Sequence, residues 1–367
     1  MTISGRTFIQ KFESYCPQWL AEEGDPVGLH IGTLDKPIQR VMMTLDVRPE
    51  VVEEAIKKKI DLLIAKHPPI FRPVKRLVTD QPQEKMYADL LKHDIAVYAA
   101  HTNMDIIWDG LNDWFCELLG IEVESYLVKT HEIHYKKLAV YVPVDHAQKM
   151  REVLAAAGAG TQGDYTGTSF TSIGHGRFTP EAGAQPAIGK VGKTEQVQEA
   201  KVEVILPETI EKQVIQAMRS AHPYEEPAFD LYPLQNSWTQ AGAGVIGELD
   251  TPETELEFLK RVKKIFEVGC LKHNKLTGRE IQTVALCGGA GAFLMPLAIR
   301  NRADVFITGE IKYHDYFGHD TDILLAEIGH YESEQYTKEI FYTIIRDLFP
   351  NVEVQQSKIN TNPIKYM

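Results

Sequence analysis

Cysteine is scarce. Cys16, Cys116, Cys270 and Cys287 are the only four in 367 residues, and no two form a CxxC pair. This excludes a disulfide framework and a cysteine-built zinc knuckle, and it suits the reduced, mostly buried thiols of a cytoplasmic protein. No run of about 18 apolar residues occurs, so no membrane span is expected. The opening "MTISGRTFIQKFESYCP" lacks a basic n-region followed by an apolar h-region, so no secretory signal is expected. Positive charge is also in deficit. A formal net charge of −12 and a pI of about 5.6 leave no general basic face for displacing counterions, so nucleic acid is an unexpected partner, although a local patch is not excluded. There is no Gly-x-Ser-x-Gly elbow, no phosphate-loop lysine and no cysteine in a nucleophile setting.

What is present is an ordinary globular composition, 44% hydrophobic and 25% charged, in a chain long enough for two or three domains. The first 120 residues alternate strand-like and helix-like runs: "RVMMTLDV" (40–47), helix 48–60, "DLLIAKHPPIF" (61–71), helix 82–94, "IAVYAAHTNMD" (95–105) and helix 110–120. The rhythm resumes near the end. A strand at 243–250 precedes a helix over 251–267 that starts on the cap-like Thr-Pro-Glu. Strand-turn-helix units follow at 281–294, 303–317 and 322–349. Between them the style changes. "VYVPVDHAQKMREVL" and "VILPETIEKQVIQAM" share a strand-Pro-helix grammar, and the glycine-rich 158–178 reads as turns and hairpins. The expected architecture is a discontinuous α/β core, 1–127 and 238–367, with 128–237 inserted as a small α+β domain of ferredoxin-like kind.

Ligands of α/β proteins bind beyond the carboxyl ends of strands. His67, His101 with Asp105, and His330 all follow predicted strands, and Glu334 lies one helical turn beyond His330. Imidazole with carboxylate suits zinc, iron or manganese, and this many donors can hold two ions. A lone histidine at a strand end is more often a cap or a solvated residue. Gathering five such groups at one edge brings the metal reading level with that plainer one. Weaker candidates are Asp46 at the end of the first strand, Glu310 with His314 in "TGEIKYH", and the polar loop "HPYEEP" (222–227). "GGAGAF" (288–293) reads more readily as a tight strand-helix turn than as a phosphate cradle.

Taken in order, "GLHIG" (28–32), "TLDVRPEVVEEAI" (44–56), "KHPPIF" (66–71), "AAHTNMD" (99–105), "TGEIKYH" (308–314) and "GHYESE" (329–334) resemble the successive motifs of the NIF-three-like family, whose members are often labelled GTP cyclohydrolase I type 2 homologs. The segment with "GAGTQGDY", "GHGRF" and "AHPYEEPAFD" resembles the extra domain of its long bacterial members. The resemblance implies a two-metal site with His67, Asp105, His330 and Glu334 as ligands and His101 as a further one. It also implies toroidal homohexamers built from dimers, and a PII/CutA-like inserted domain. The chain departs from the family at Lys66, where the family usually has a metal-binding histidine. A protonated lysine has no lone pair to donate. Lys66 therefore either turns to solvent or puts an ammonium group in an ion's place. The expected activity is hydrolysis by metal-activated water of an unidentified small molecule, depending on Glu334. The competing expectation is a metal-holding regulatory or binding ring without turnover.

Overall fold

The computed structural model describes residues 3–163 and 165–367, the side chains of 237–240 excepted. Asp164, inside the glycine-rich stretch read as turns and hairpins, lies outside the described residues. The chain divides into two compact units, Met1–His131 with Ala241–Met367, and Glu132–Gln240.

In the larger unit the alternation of side chains fixes how two sheets are covered. Strands Arg40–Thr44, Leu62–Ala65 and Ala96–Ala99 run parallel, flanked by Glu353–Gln356 and the antiparallel Gly28–Ile31. Val41, Met43, Leu62, Ile64, Ala96 and Tyr98 pack on one side with Phe8, Phe12, Phe341 and Ile345. Met42, Leu63, Ala65 and Val97 pack on the other with Val51, Val52, Met86 and Leu90. Helices Gly5–Glu13 and Thr337–Leu348 thus cover one face, and Pro49–Lys57 and Pro82–Lys92 the other. Burial on both faces is why these strands read as continuous apolar runs. The second sheet repeats the scheme. Glu280–Cys287, Val305–Thr308 and Leu324–Glu327 are parallel. Val284, Leu286, Val305, Ile307 and Leu324 pack against Phe258 and Phe266, while Ala285, Phe306 and Leu325 face Leu294 and Ala298.

Several elements differ from the sequence expectation. The strands expected over 61–71 and 95–105 end at Ala65 and Ala99, and Asp105 sits on a short helix, Thr102–Ile106. The helix expected from Thr251 begins at Glu255, because the preceding strand runs on through Thr254. Thr254 is the cap: its hydroxyl accepts from the Glu257 N–H while the Glu257 carboxylate reaches back to the Thr254 N–H. Instead of a full helix after Val305–Thr308, "YHDY" makes only a 3-10 turn, Tyr313–Tyr316.

The smaller unit takes the order strand, helix Ala147–Ala156, strand Phe170–Phe178, strand Glu195–Pro207, helix Glu211–Ala221, strand. Glu195–Pro207 pairs antiparallel with both 135–143 and 170–178. Its core is one-sided: Leu138, Val140, Val202 and Val204 meet Met150, Leu154, Val214 and Met218 of the two helices. All four cysteines are free, three of them buried. Among the described residues no helix is long and apolar enough to cross a membrane.

Candidate metal centre

The carboxyl ends of the larger unit's parallel strands supply the candidate residues. Lys66 and His67 follow Leu62–Ala65, His101 follows Ala96–Ala99, Glu310 follows Val305–Thr308, and His330 follows Leu324–Glu327. Helix His330–Glu334 starts on His330 itself, which stacks His330 and Glu334 on one face at i, i+4.

His67 Nε2 lies 2.7 Å and His330 Nε2 3.1 Å from Glu334 Oε2. One ligand atom from each of these three residues fits within 4.8 Å of the others. His67 Nε2 and Glu334 Oε2 are nevertheless buried without a properly directed hydrogen bond. The far side of each ring is fixed as a metal ligand requires. His67 Nδ1 donates to Asp46 Oδ1 at 2.8 Å, and His330 Nδ1 donates to Glu310 Oε1 at 2.7 Å. A carboxylate only accepts, so both imidazoles carry a proton on Nδ1, which leaves Nε2 as the position an ion would take. Thr361 buttresses Asp46 from behind. The donor set is two imidazoles and a carboxylate, which fits one divalent ion.

Where the resemblance implies a second ion, the structure places an ammonium group. Lys66 is wholly buried, and its Nζ donates to Asp105 Oδ2 at 2.9 Å and lies 3.3 Å from Glu334 Oε1. The choice between solvent and site thus falls inward, because Lys66 continues the Leu62–Ile64 side of its strand into the core. Its ammonium fills the space between the two carboxylates. Asp105 is engaged there, with its other oxygen buried and unpartnered. His101 is outside the tight group of His67, His330 and Glu334 but lines the same cavity. Its ring centroid is 5.7 Å from that of His67, and its Nδ1 donates to Asp25 Oδ1 at 2.8 Å. Asp25 was invisible in the sequence, where "EEGDPVG" reads as plain loop. His314, one turn from Glu310 in sequence, is not a member of the group.

The glycine turn clears room for Glu334. A Cβ on Gly289 would stand 2.7 Å from Glu334 Oε1, and the residue has φ +62°. Ser333 Oγ accepts from the Gly289 N–H at 2.9 Å and donates to the His330 carbonyl at 2.8 Å. Asn112 joins the two sheets by accepting from the Gly288 N–H and donating to the Asp105 carbonyl. The centre lines a cavity of about 480 Å³, with Phe71 and Phe293 among its walls.

Electrostatics follows this geometry. Burial alone would raise the Glu334 carboxyl, but Lys66, His330 and His67 together hold it well below the usual range. Asp105 is pushed up, by burial first and by the Glu334 charge, against the pull of Lys66. Burial lowers His67, but its bond to Asp46 and the close approach of the Glu334 carboxylate more than compensate and raise it to about 9. In the metal-free chain, that raised value contributes stability that is full below the ordinary value of about 6.5 and lost as pH climbs through about 9. An ion must therefore displace a proton from His67 at neutral pH. Between about pH 6.5 and 8.5, the affinity for zinc should rise by about tenfold per pH unit or more. Calorimetry in buffers of different ionisation enthalpy should count at least one proton released per ion at pH 7.5. A pH-independent affinity across that range would contradict this account of His67.

Residues 3–363 match the family model of Duf34/NIF3 (NGG1p interacting factor 3). Over 373 residues the chain is 41% identical to the GTP cyclohydrolase 1 type 2 homolog of Bacillus subtilis, covering 100% of this chain and 99% of the relative. A Bacillus cereus protein related to NIF3 superposes with a TM-score of 0.90 at 37% identity, covering 99% of each chain. A Staphylococcus aureus protein, SA1388, superposes with a TM-score of 0.75 at 28% identity, covering 100% of this chain and 99% of the other.

Proposed function

Since the chain belongs to the Duf34/NIF3 family, we propose that it is a metal-dependent hydrolase with one ion, held by His67, His330 and Glu334, and with the Lys66 ammonium in place of a second. Supporting it above all is the convergence of His67 Nε2, His330 Nε2 and Glu334 Oε2 beside a buried ammonium, at the mouth of a cavity large enough for a small molecule. The two-imidazole, one-carboxylate set suits zinc, iron or manganese. A divalent ion there would supply Lewis acidity and lower the pKa of water. Asp46 and Glu310 orient the two imidazoles. Lys66 adds a fixed positive charge that favours negative charge developing on a substrate oxygen. His101, with Nδ1 committed to Asp25, keeps Nε2 free to complete the donor set. Phe71 and Phe293 offer apolar walls for a flat substrate. The relatives' name places GTP among the first compounds to try. In this reading the chain works in the cytoplasm as a toroidal homohexamer. Residues 132–240 form a ferredoxin-like, PII/CutA-like domain, supported by their strand-helix-strand-strand-helix-strand order.

The test is a hydrolase screen on chain loaded with each metal in turn, with GTP, other nucleotides and simple amide, lactone and phosphate esters. Turnover that scales with bound ion and falls by about 100-fold or more in a folded Glu334→Gln variant is the expected result. A folded, ion-bearing chain that is silent throughout would favour the other reading, a metal-holding binding or regulatory ring. Lys66 gives that reading its own support, since it removes the second ion on which two-metal hydrolysis relies.

A further inference from the structure

The smaller unit contains a cavity that this chemistry does not use. It measures about 590 Å³ and is walled by Tyr141, Phe178, Ile188, Glu199, Tyr224 and Glu225. That volume falls in the range of small-molecule sites, roughly 300–1,000 Å³.

The "HPYEEP" loop builds one wall. His222 ends the Glu211–Ala221 helix, and its two ring nitrogens are both committed. Nε2–H donates to the Tyr141 carbonyl at 2.9 Å, and Nδ1 accepts from the Tyr224 N–H at 3.0 Å. Burial lowers its pKa, in keeping with a neutral ring that both donates and accepts. The loop, stiffened by Pro223 and Pro227, is thereby tied to the sheet, and Tyr224 stands with its ring centroid 6.0 Å from that of Phe178. Glu225 accepts from the Gln185 N–H at 2.9 Å, which fastens the opposite segment.

Glu199 forms the base. It is only 9% exposed and lies on the central strand, Glu195–Pro207. Its carboxylate occupies the space where a Cβ on Gly176 would be, with Oε2 2.0 Å from that point, so glycine is what lets the side chain lie there. The nearby cations have other partners: Lys201 pairs with Glu203 at 3.2 Å, and Arg177 donates to Gln196 at 3.1 Å. Among the described residues none forms an ion pair with Glu199. Burial first, then the Glu199 charge and a hydrogen bond to Glu199, push the Tyr224 phenol up to about 12, so the one partner of this carboxylate among the described residues is a neutral hydroxyl.

A nearly buried carboxylate with no counter-charge, under aromatic walls, is a costly arrangement that a cation relieves. We infer that this cavity binds a small organic cation, an ammonium or amidinium carried on a flat apolar body. Glu199 is its counter-charge, and Tyr141, Phe178 and Tyr224 supply ring faces and edges. Glu181, Glu225 and Glu226 also line the cavity; with Glu199 they outnumber Arg177, the one lysine or arginine in its wall, and disfavour anions.

The test uses the intact chain and three isosteric probes: benzamidinium, neutral benzamide and anionic benzoate. Calorimetry or ligand-observed NMR should show saturable binding of benzamidinium, about tenfold or more tighter than benzamide, and none of benzoate. Loading the metal centre with zinc should leave that binding unchanged. Glu199→Gln, folded by circular dichroism, should weaken it by about tenfold or more. Equal binding of benzamidinium and benzamide, full-strength binding in Glu199→Gln, or no saturable binding of benzamidinium would each overturn the inference. Should Glu199→Gln not fold, the benzamidinium-to-benzamide ratio of the native chain decides.

Discussion

Replacing Lys66 by histidine should raise the metal content of the loaded chain from one ion to two. In the native centre the Lys66 ammonium stands 2.9 Å from Asp105 and 3.3 Å from Glu334, where it already serves as the counter-charge of both carboxylates. A divalent ion entering that space would meet a positive charge at contact distance, a repulsion of several kcal/mol even at an effective dielectric of about 20. It would also find no nitrogen lone pair on that side. Lys66→His removes the charge and adds a donor. Lys66→Met separates the two effects, because it fills the space while supplying neither charge nor nitrogen. We expect the histidine variant to retain two ions after desalting, measured by plasma mass spectrometry. The methionine variant should hold the second ion more weakly than the histidine variant and more tightly than the native chain. Two equally tight ions in the native chain would sink the idea, as would a histidine variant that stays at one ion while folded.

Glu334→Gln should destabilise the metal-free chain by about 3–5 kcal/mol, the usual cost of breaking a buried ion pair from one side. Glu334 is 2% exposed and lies against the Lys66 ammonium and the imidazoles of His67 and His330. An amide leaves the Lys66 ammonium buried with only Asp105, whose carboxyl burial pushes upward. The same change should remove most of the metal affinity, since Glu334 is the one carboxylate of the donor set. A double-mutant cycle with Lys66→Met isolates the pair. Urea denaturation at pH 7 should show the two substitutions costing less together than the sum of their separate costs, by about 1 kcal/mol or more. Strict additivity would mean that the two groups do not act as a pair.

Much of this centre can be read from the sequence. A buried parallel strand announces itself as an apolar run, and the polar residue that ends the run marks the carboxyl edge, which is how His67 and His330 stand out. Glu334 follows because i, i+4 geometry is local. The direction of Lys66 is not local. It depends on strand pleat and on Asp105 and Glu334, 39 and 268 positions away, reaching the same point. His101 shows the opposite failure: its strand-end position is legible, yet a loop carboxylate 76 residues upstream, Asp25, fixes its ring. Helix starts slip for a simpler reason. Thr251 looks like a cap, and only the continuing strand pairing, Thr254 with Glu280, moves the start to Glu255.

The Lys66 side chain also changes how the centre responds to scarcity. A metal ion is shared with every other ligand in the cell and leaves when the supply falls. An amine bonded to the backbone is not exchangeable. Chelators cannot extract it and competing metals cannot displace it. Part of the positive charge that organises Asp105 and Glu334 is therefore set at translation. When starved of metal, the chain should keep those two carboxylates in place, so that reloading needs only one ion to arrive.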